Sequence, residues 1–260
     1  MYSVGLQVTN SGIFLGRYSQ SFDYAVNRLN EMSGKKIKQI LLLICLTSLA
    51  VFNTAHADCD DKRKPGMDWS GCKKTNKMLD DTNFSGSRFD EANLSSSSLD
   101  ESNFNGASLV KTDLTRASAT RAQFIKSDLT KAAGYRANFD KAKLESSTLT
   151  KSEFYRASFR EATIIDVDWS KSELGRVDFR GARLTNVSFE FTNLSRVKFQ
   201  GALLDNVNFK GAYTYRTRFE DVDLQKAVNL HQLHLKFACG NDNTRLPEGL
   251  EKPESWPCSE

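Results

Sequence analysis

Histidine and proline are scarce in this 260-residue sequence, with three and four copies, and glycine contributes only 15 residues. Proline is absent between Pro65 and Pro247, and histidine between His56 and His231. The central part of the chain therefore cannot hold a Ser-His-Asp or Cys-His catalytic arrangement. The sequence also lacks a glycine-rich phosphate loop, H-E-x-x-H and C-x-x-C. We expect no enzymatic activity, no cofactor and no metal site.

The dominant feature is a five-residue period from Thr82 to Asn229, thirty units in one frame. Each unit has a large apolar residue at its centre, position i, and Ala, Ser, Thr or Val at position i−2, as in Ala92-Asn93-Leu94. The other three positions are mostly polar. This spacing would distribute apolar residues around an α-helix instead of along one stripe. Two inward residues flanking one outward residue are typical of a short strand, so the period indicates a solenoid that turns every five residues.

Tandem units of the form A-(N/D)-(L/F)-x-x resemble the pentapeptide-repeat family over about three-fifths of the chain. The resemblance implies an all-β fold, the right-handed quadrilateral β-helix, in which four units form one square coil. The repeats then predict about seven and a half coils, on the order of 36 Å in length at about 4.8 Å per layer. The open ends of such a solenoid need caps. We assign 77–230 to the β-helix, 58–76 to an N-terminal cap and 231–260 to a C-terminal cap.

Segment 32–57 resembles a secretory signal peptide. Three lysines precede the apolar run from Ile40 to Phe52, and Ala55-His56-Ala57 follows it. The thirteen-residue run is short for a membrane span, and a buried core helix is the alternative. Segment 1–31 precedes a signal that is complete without it, so we expect it to be an upstream extension, with translation starting at Met32. The expected location is periplasmic or secreted.

Cleavage after Ala57 leaves four cysteines, all outside the repeats: Cys59, Cys72, Cys239 and Cys258. An even number in an exported chain favours disulfides. Their placement predicts one disulfide at each end, Cys59 with Cys72 and Cys239 with Cys258. The flanks P-G-M-D-W-S-G-C and L-P-E-G-L resemble those of exported family members. Zinc binding is the competing interpretation, with His231 and His234 as the available histidines.

Residues twenty apart should lie above one another in successive coils, which sorts the surface into columns. Six of the seven arginines at position i+2 fall in one column, the Arg column: Arg116, Arg136, Arg156, Arg176, Arg196 and Arg216. The preceding corner carries a Lys column: Lys111, Lys131, Lys151 and Lys171. The face between these corners carries Asp113, Glu153 and Glu173, the tyrosines Tyr135, Tyr155 and Tyr215, and Tyr213 near one end.

Two interpretations of this face remain open. In the first, the cations pair with nearby carboxylates as surface ion pairs worth about 0–1 kcal/mol each, and the column records block duplication. In the second, arginines about 4.8 Å apart repel one another and are retained because they meet a repeating anion. Tyrosine beside arginine suits phosphate, sulfate or carboxylate groups. Candidate partners are lipid phosphates, anionic glycans or an acidic protein, whereas nucleic acid fits an exported protein poorly.

The inner positions suggest a regular core with local irregularities. Five phenylalanines twenty apart should form one ladder: Phe139, Phe159, Phe179, Phe199 and Phe219. Ala119, Gly134 and Thr214 replace the large central residue and would leave voids unless neighbours fill them. The last two belong to the face with the Arg column, so we expect local distortion there.

Charge bears on the best-known activity in the family. Some cytoplasmic members are DNA mimics that bind DNA gyrase and counter quinolones, which requires a strongly acidic surface. This chain has 36 basic and 32 acidic residues, and 31 and 30 after Ala57. The sequence therefore favours a non-enzymatic, exported interaction or structural surface. A gyrase-binding DNA mimic is the alternative, and a glycan-processing enzyme would require paired acids in a cleft.

Overall fold

The computed structural model describes residues 59–60 and 62–258, which lie within one unit of the chain, Ala55–Glu260. The expected signal peptide 32–57 and extension 1–31 lie outside the described residues. Five three-residue strands form one parallel sheet in chain order: β1 Gln123–Ile125, β2 Lys143–Glu145, β3 Thr163–Ile165, β4 Arg183–Thr185 and β5 Leu203–Asp205. Phe124 pairs with Leu144 and Leu144 with Ile164. This twenty-residue register confirms that four units make one coil of a quadrilateral β-helix.

Isolated parallel bridges extend the same register along the other faces. One ladder runs from Asp68 through Arg88 and onward to Val228 in steps of one coil. The coil geometry therefore starts within segment 58–76, which the sequence assigns to the N-terminal cap. At the other end the spacing lengthens, because Arg218 bridges Cys239 and Asp223 bridges Arg245. Residues of segment 231–260 thus pair with the last regular coil.

At the corners from Gly66 to Asp221, the residue at position i+2 has a left-handed backbone conformation. The non-glycine residues at these corners have φ between 49° and 63°. At many corners the next N–H closes a tight turn, as where Ala92 N donates to Phe89 O at 2.9 Å. A type II turn has this geometry and usually places glycine or asparagine at the positive φ. Lysine, arginine and glutamate occupy many of these corners, which explains why the sequence locates the corners without revealing their backbone conformation.

The left-handed corner gives a prediction at Lys126, an exposed residue with φ of 56°. Lys126→Gly should leave stability nearly unchanged, because relief of steric strain offsets the greater entropy of glycine in the unfolded chain. Lys126→Val should destabilise the protein by about 1–2 kcal/mol, because a β-branched side chain fits a positive φ poorly. Thermal and urea unfolding followed by circular dichroism would measure both effects. Equal stability of the two variants would contradict this assignment of strain.

The core consists of the residues at positions i and i−2, which point into the coil. The expected phenylalanine ladder is confirmed, with ring centroids separated by 4.8 Å between Phe139 and Phe159 and by 5.5 Å between Phe199 and Phe219. The space at Gly134 is filled from the next coil, since a Cβ atom there would lie 2.2 Å from the Phe154 ring. The core therefore compensates for a missing side chain with the ring one coil later.

Most serines and threonines at position i−2 are buried and donate a hydrogen bond to the backbone. Ser102 Oγ donates to the carbonyl oxygen of Leu79 at 2.7 Å, and Thr112 Oγ1 donates to that of Phe89 at 2.7 Å. Each bond reaches back to the central residue of a unit in the preceding coil. A buried hydroxyl without such an acceptor would cost about 1–3 kcal/mol. These small polar residues therefore connect successive coils while fitting the narrow inner position.

Both ends carry the disulfides that the sequence predicts. Cys59 is bonded to Cys72 with a Cα–Cα distance of 5.5 Å, and Cys239 to Cys258 with a Cα–Cα distance of 5.4 Å. At the C-terminal end Trp256 Nε1 donates to Ala238 O at 2.8 Å. Disulfides persist in oxidising compartments, so both bonds favour a location outside the cytoplasm.

A single short helix, α1, spans Gln232–Lys236 in the described C-terminal segment. Thr214, which replaces the large central residue of its unit, donates a hydrogen bond from Oγ1 to His234 O at 2.7 Å. This bond connects the β-helix to the C-terminal cap. His231 N donates to His234 Nδ1 at 2.8 Å. Burial lowers the pKa of His234 below its ordinary value, and the nearby His231 lowers it further. The neutral form of His234 therefore belongs to the folded cap.

Acidification should loosen this cap. Because the folded-state pKa of His234 is depressed, the unfolded segment binds the proton more readily, and stability rises with pH. The contribution of His234 is complete above its unfolded pKa of about 6.5 and is lost as the pH falls below it. The protection factors of the amides in residues 231–239, which correct hydrogen exchange for its intrinsic pH dependence, should be lower at about pH 5 than at about pH 7.5. His234→Gln should remove most of this difference, and an unchanged pH dependence in that variant would contradict the role of His234.

Candidate interaction surface

The Arg column follows one corner of the β-helix in register from coil to coil. Arg136 N donates to Tyr155 O at 3.1 Å, and Arg156 N donates to Gly175 O at 2.9 Å. The same contact joins Arg176 N to Ser195 O at 2.8 Å. Because each arginine backbone bonds to the next coil, the six side chains start from positions roughly 4.8 Å apart along one line. The structure thus brings the predicted arginines together on one edge.

Five of the six arginines on this edge are not paired with carboxylates among the described residues. Within residues 62–258, five arginines of the column form no ion pair: Arg116, Arg136, Arg156, Arg176 and Arg196. The next corner behaves differently, because Arg121 pairs with Glu101, and Lys141 pairs with Glu161 at 3.5 Å. Both pairs join residues one coil apart. The interpretation in which surface cations pair with nearby carboxylates therefore holds at the next corner. It does not hold for these five arginines.

The Lys column divides into a paired and an unpaired part. Lys111 Nζ lies 2.6 Å from Glu91 Oε1, and this hydrogen bond raises the pKa of Lys111. Lys131, Lys151 and Lys171 are exposed and form no ion pair with any residue that the structure describes. The central coils therefore carry unpaired cations on both edges of the face.

Two of the three acids on this face, Asp113 and Glu173, have hydrogen-bond partners other than the arginines. Asp113 Oδ1 accepts a hydrogen bond from Thr115 N at 2.9 Å, so it stabilises its own turn. Glu173 Oε2 accepts from Asn193 Nδ2 at 2.8 Å. Glu153 and Glu173 are bridge partners in adjacent coils, where like charges stand side by side. The acids add negative charge to the middle of the face without pairing with the Arg column.

The tyrosines lie against the arginines. The rings of Tyr135 and Tyr155 are parallel within 2° and have centroids 6.1 Å apart. The guanidinium of Arg136 lies 5.1 Å from the Tyr135 ring centre, and those of Arg156 and Arg176 lie 5.5 and 5.9 Å from the Tyr155 ring centre. These distances are within the range of cation–π contacts. Each guanidinium is thus held against a ring while its donors stay unpaired with carboxylates.

Gly175 explains how the Tyr155 ring is placed. A Cβ atom on Gly175 would lie 2.9 Å from Cδ2 of Tyr155. The ring therefore lies over the backbone of the next coil, where any larger residue would displace it. The sequence alone does not reveal the contact between Gly175 and the Tyr155 ring, because the two residues are twenty positions apart and meet only in adjacent coils.

The face extends towards the C-terminus through Phe191, which was not predicted to belong to it, and through Tyr213 and Tyr215, which were. Phe191 occupies a corner of the Lys column and is 54% exposed. Its ring covers Gly211, where a Cβ atom would lie 2.5 Å from it. Tyr213 and Tyr215 are stacked next to this corner with centroids 6.3 Å apart. The sequence signal for this contact is a large apolar residue, Phe191, at a corner that is normally polar, followed one coil later by Gly211.

The described residues also bear on other classes of site. They contain no group of three or more His, Cys, Asp or Glu side chains placed to hold a metal ion. No helix among them is long and apolar enough to cross a membrane. The arrangement they do provide is an elongated surface with cationic edges and exposed aromatic rings.

Comparison with known proteins agrees with this architecture. The sequence pattern of the family described as pentapeptide repeats matches eight copies, over residues 78–116, 97–132, 137–168 and 172–211. No curated protein sequence matches the chain. The family match therefore covers the coils themselves, including most of the Arg column.

Several solved structures are similar. HetL, a pentapeptide repeat protein involved in heterocyst differentiation regulation from the cyanobacterium Nostoc, is 21% identical, with 75% of this chain and 89% of HetL covered and a TM-score of 0.28. Trypsin-treated QnrB1, a plasmid-mediated fluoroquinolone resistance protein, is 17% identical, with 72% and 93% covered and a TM-score of 0.44. A protein from the Arabidopsis thaliana thylakoid lumen is 20% identical, with 53% and 74% covered and a TM-score of 0.15.

The match of the family pattern and the twenty-residue register of the coils lead to the same assignment. The chain belongs to the pentapeptide-repeat family.

Proposed function

We propose that this protein is an exported, non-catalytic interaction protein that binds an extended anionic partner along the Arg column. Pentapeptide-repeat proteins are generally structural or interaction proteins, which agrees with a non-catalytic role. The observation that carries the proposal is the run of five arginines without ion pairs, next to a corner where Arg121 and Lys141 each pair with a glutamate. Export is supported by the two disulfides and by the signal-like segment 32–57.

Electrostatics favours a repeating anion over a single one. Two unit charges 4 Å apart repel by about 1 kcal/mol in water and by about 4 kcal/mol near a protein surface. The Arg column repeats this repulsion at each coil, although the side chains can diverge and salt screens them. An anion that contacts one arginine relieves little of it. A linear polyanion or an array of anionic headgroups could contact several arginines at once.

The tyrosines add orientation to this charge. Arg136, Arg156 and Arg176 each contact a tyrosine ring, which limits their motion before a ligand arrives. A preorganised guanidinium loses less entropy when it binds a carboxylate, phosphate or sulfate. The exposed rings also offer flat surfaces to the apolar parts of the partner.

The alternative, a gyrase-binding DNA mimic, has less support. Such a surface would be strongly acidic, whereas residues 58–260 contain 31 basic and 30 acidic residues. The unpaired arginines would repel a protein that binds DNA phosphates. The Arg column therefore favours an anionic partner over a DNA-binding one.

Charge reversal tests the proposal. In Arg136→Glu/Arg156→Glu/Arg176→Glu, affinity for poly-L-glutamate, dextran sulfate or vesicles containing phosphatidylglycerol should fall by at least about 100-fold, because three close charge contacts become repulsive. Co-sedimentation and fluorescence anisotropy at low and physiological salt would measure it. Comparison of the three probes would also separate lipid headgroups from soluble polyanions.

A matched variant controls for net charge. Lys126, Arg160 and Arg183 are exposed, lie outside the Arg column and form no ion pair among the described residues. Reversal of these three to glutamate changes the total charge equally and should reduce affinity far less. An equal loss in both variants, or no binding of any probe by the unaltered protein, would reject the Arg column as the binding site.

A further inference from the structure

We propose that the extended anionic partner of the Arg column is a linear polyuronate, a glycan with one carboxylate on every sugar. This ligand class rests on the function proposed above for the column. Three features of the face between the Lys and Arg columns point to it besides the cations. They are the spacing of the coils, the exposed aromatic rings and the free carboxylates.

The cations on both edges of the face repeat once per coil. Arg136 N donates to Tyr155 O in the next coil, and this register keeps the Arg column at a spacing of roughly 4.8 Å. Lys131 and Lys151 repeat at the same interval on the other edge. The sugars of a polyuronate follow one another at about one ring width, so its carboxylates repeat at close to the coil spacing. In a flat β-1,4-linked chain successive sugars are turned by half a turn, which directs alternate carboxylates to the Arg edge and the Lys edge.

The exposed aromatic rings of the face offer contacts to sugars. Tyr155 is 37% exposed, and the stacked rings of Tyr213 and Tyr215 are 56% and 41% exposed. The apolar C–H side of a pyranose ring can pack on a flat aromatic ring. The chain of a polyglutamate or a polyphosphate has no such flat side. Exposed rings on several coils therefore favour a chain of sugars over these other polyanions.

Free carboxylates in the middle of the face disfavour a partner that is anionic throughout. Glu153 is exposed and has no ion pair or side-chain hydrogen bond among the described residues, although Lys151 and Arg156 occupy the two adjacent corners. Glu173 stands beside it and accepts a hydrogen bond from Asn193 Nδ2 at 2.8 Å. These glutamates would repel a continuous row of phosphates or sulfates. The hydroxyl groups of a uronate chain can instead donate to them, and hydrogen bonds to a charged acceptor are stronger than neutral ones.

The three features correspond to the three kinds of group in a polyuronate. Its carboxylates meet the cations of the edges, its ring C–H sides meet the tyrosines, and its hydroxyls meet the glutamates. A polyglutamate or an array of anionic headgroups supplies only the first of these groups, and a neutral glycan lacks it. Specificity for the uronate is the difference between these sets of contacts.

Isothermal titration calorimetry of the full chain with three octamers tests the proposal: β-1,4-linked oligomannuronate, its methyl ester and oligoglutamate. Oligomannuronate should bind at least about tenfold more tightly than the other two, because the ester lacks the charges and the peptide lacks the sugar rings. Equal affinity for oligomannuronate and oligoglutamate, or tighter binding to vesicles containing phosphatidylglycerol, would overturn the glycan assignment and leave the Arg column as an anion site. Equal affinity for the ester and the acid would instead contradict the function proposed for the column.

A tyrosine variant separates the sugar contacts from the charges. Tyr213→Ala/Tyr215→Ala leaves the cation–π contacts of Arg136 and Arg156 in place. It should weaken the binding of oligomannuronate by about tenfold and that of oligoglutamate by less than about twofold. Leu203→Ala, which removes an exposed apolar side chain from another face, should change neither affinity. Equal losses for both ligands in the tyrosine variant would overturn the proposal.

A glutamate variant tests the hydroxyl contacts. Glu153→Gln/Glu173→Gln removes two negative charges from the face, so it should strengthen the binding of oligoglutamate by about threefold or more. The binding of oligomannuronate should not strengthen, because the variant also loses the charged acceptors of the sugar hydroxyls. An equal gain for both ligands would show that the glutamates do not contact the sugars, which contradicts the proposal.

Discussion

The backbone hydrogen bonds between successive coils are the constraint on which the rest of the structure depends. Each coil contains twenty residues, and bonds such as Arg136 N to Tyr155 O fix its register against the next coil. A single inserted residue would shift every following side chain to another position. The unbroken five-residue period is therefore a requirement of the hydrogen bonding. It also makes residues far apart in sequence neighbours in space, as with the stacked rings of Phe139 and Phe159.

This constraint explains which features can be predicted from the sequence. The period alone locates the inward positions, the corners, the phenylalanine ladder and the Arg column, because all of them repeat at five or twenty residues. The pairing of the cysteines follows from their position at opposite ends of the repeats. Features that break the period were not predicted. The contact of Trp256 with Ala238 and the positions of α1 and Cys239 depend on irregular connections. The positive φ at each corner was missed because residues such as Arg176 do not indicate it.

The same register sets the electrostatics of the corners. A corner column places each side chain within reach of the one twenty residues later, so neighbouring charges in it either pair or repel. At Glu101, Arg121, Lys141 and Glu161 opposite charges pair across one coil. In the Arg column each neighbour is another arginine, and the nearby tyrosines provide contacts but no charge. An acidic residue in place of one arginine would therefore neutralise its neighbours one coil away. None of the five consecutive coils from Arg116 to Arg196 carries such an acid at this corner. That contrast is a stronger argument for a ligand than the number of arginines.

The two ends of the β-helix differ in how their inner residues are covered. At the C-terminal end the residues after Asn229 pair with the last coil, and the Trp256 ring packs so closely on Gly240 that a Cβ atom there would lie 2.2 Å from it. At the N-terminal end Trp69 and Leu79 are also buried, and the Lys74 ammonium lies over the Trp69 ring, 4.2 Å from its centre. Exposed ends of a sheet invite non-specific pairing unless they are covered or charged. Lys62, Arg63, Lys74 and Lys77 surround the N-terminal end and meet this requirement by charge, where the other end meets it by packing.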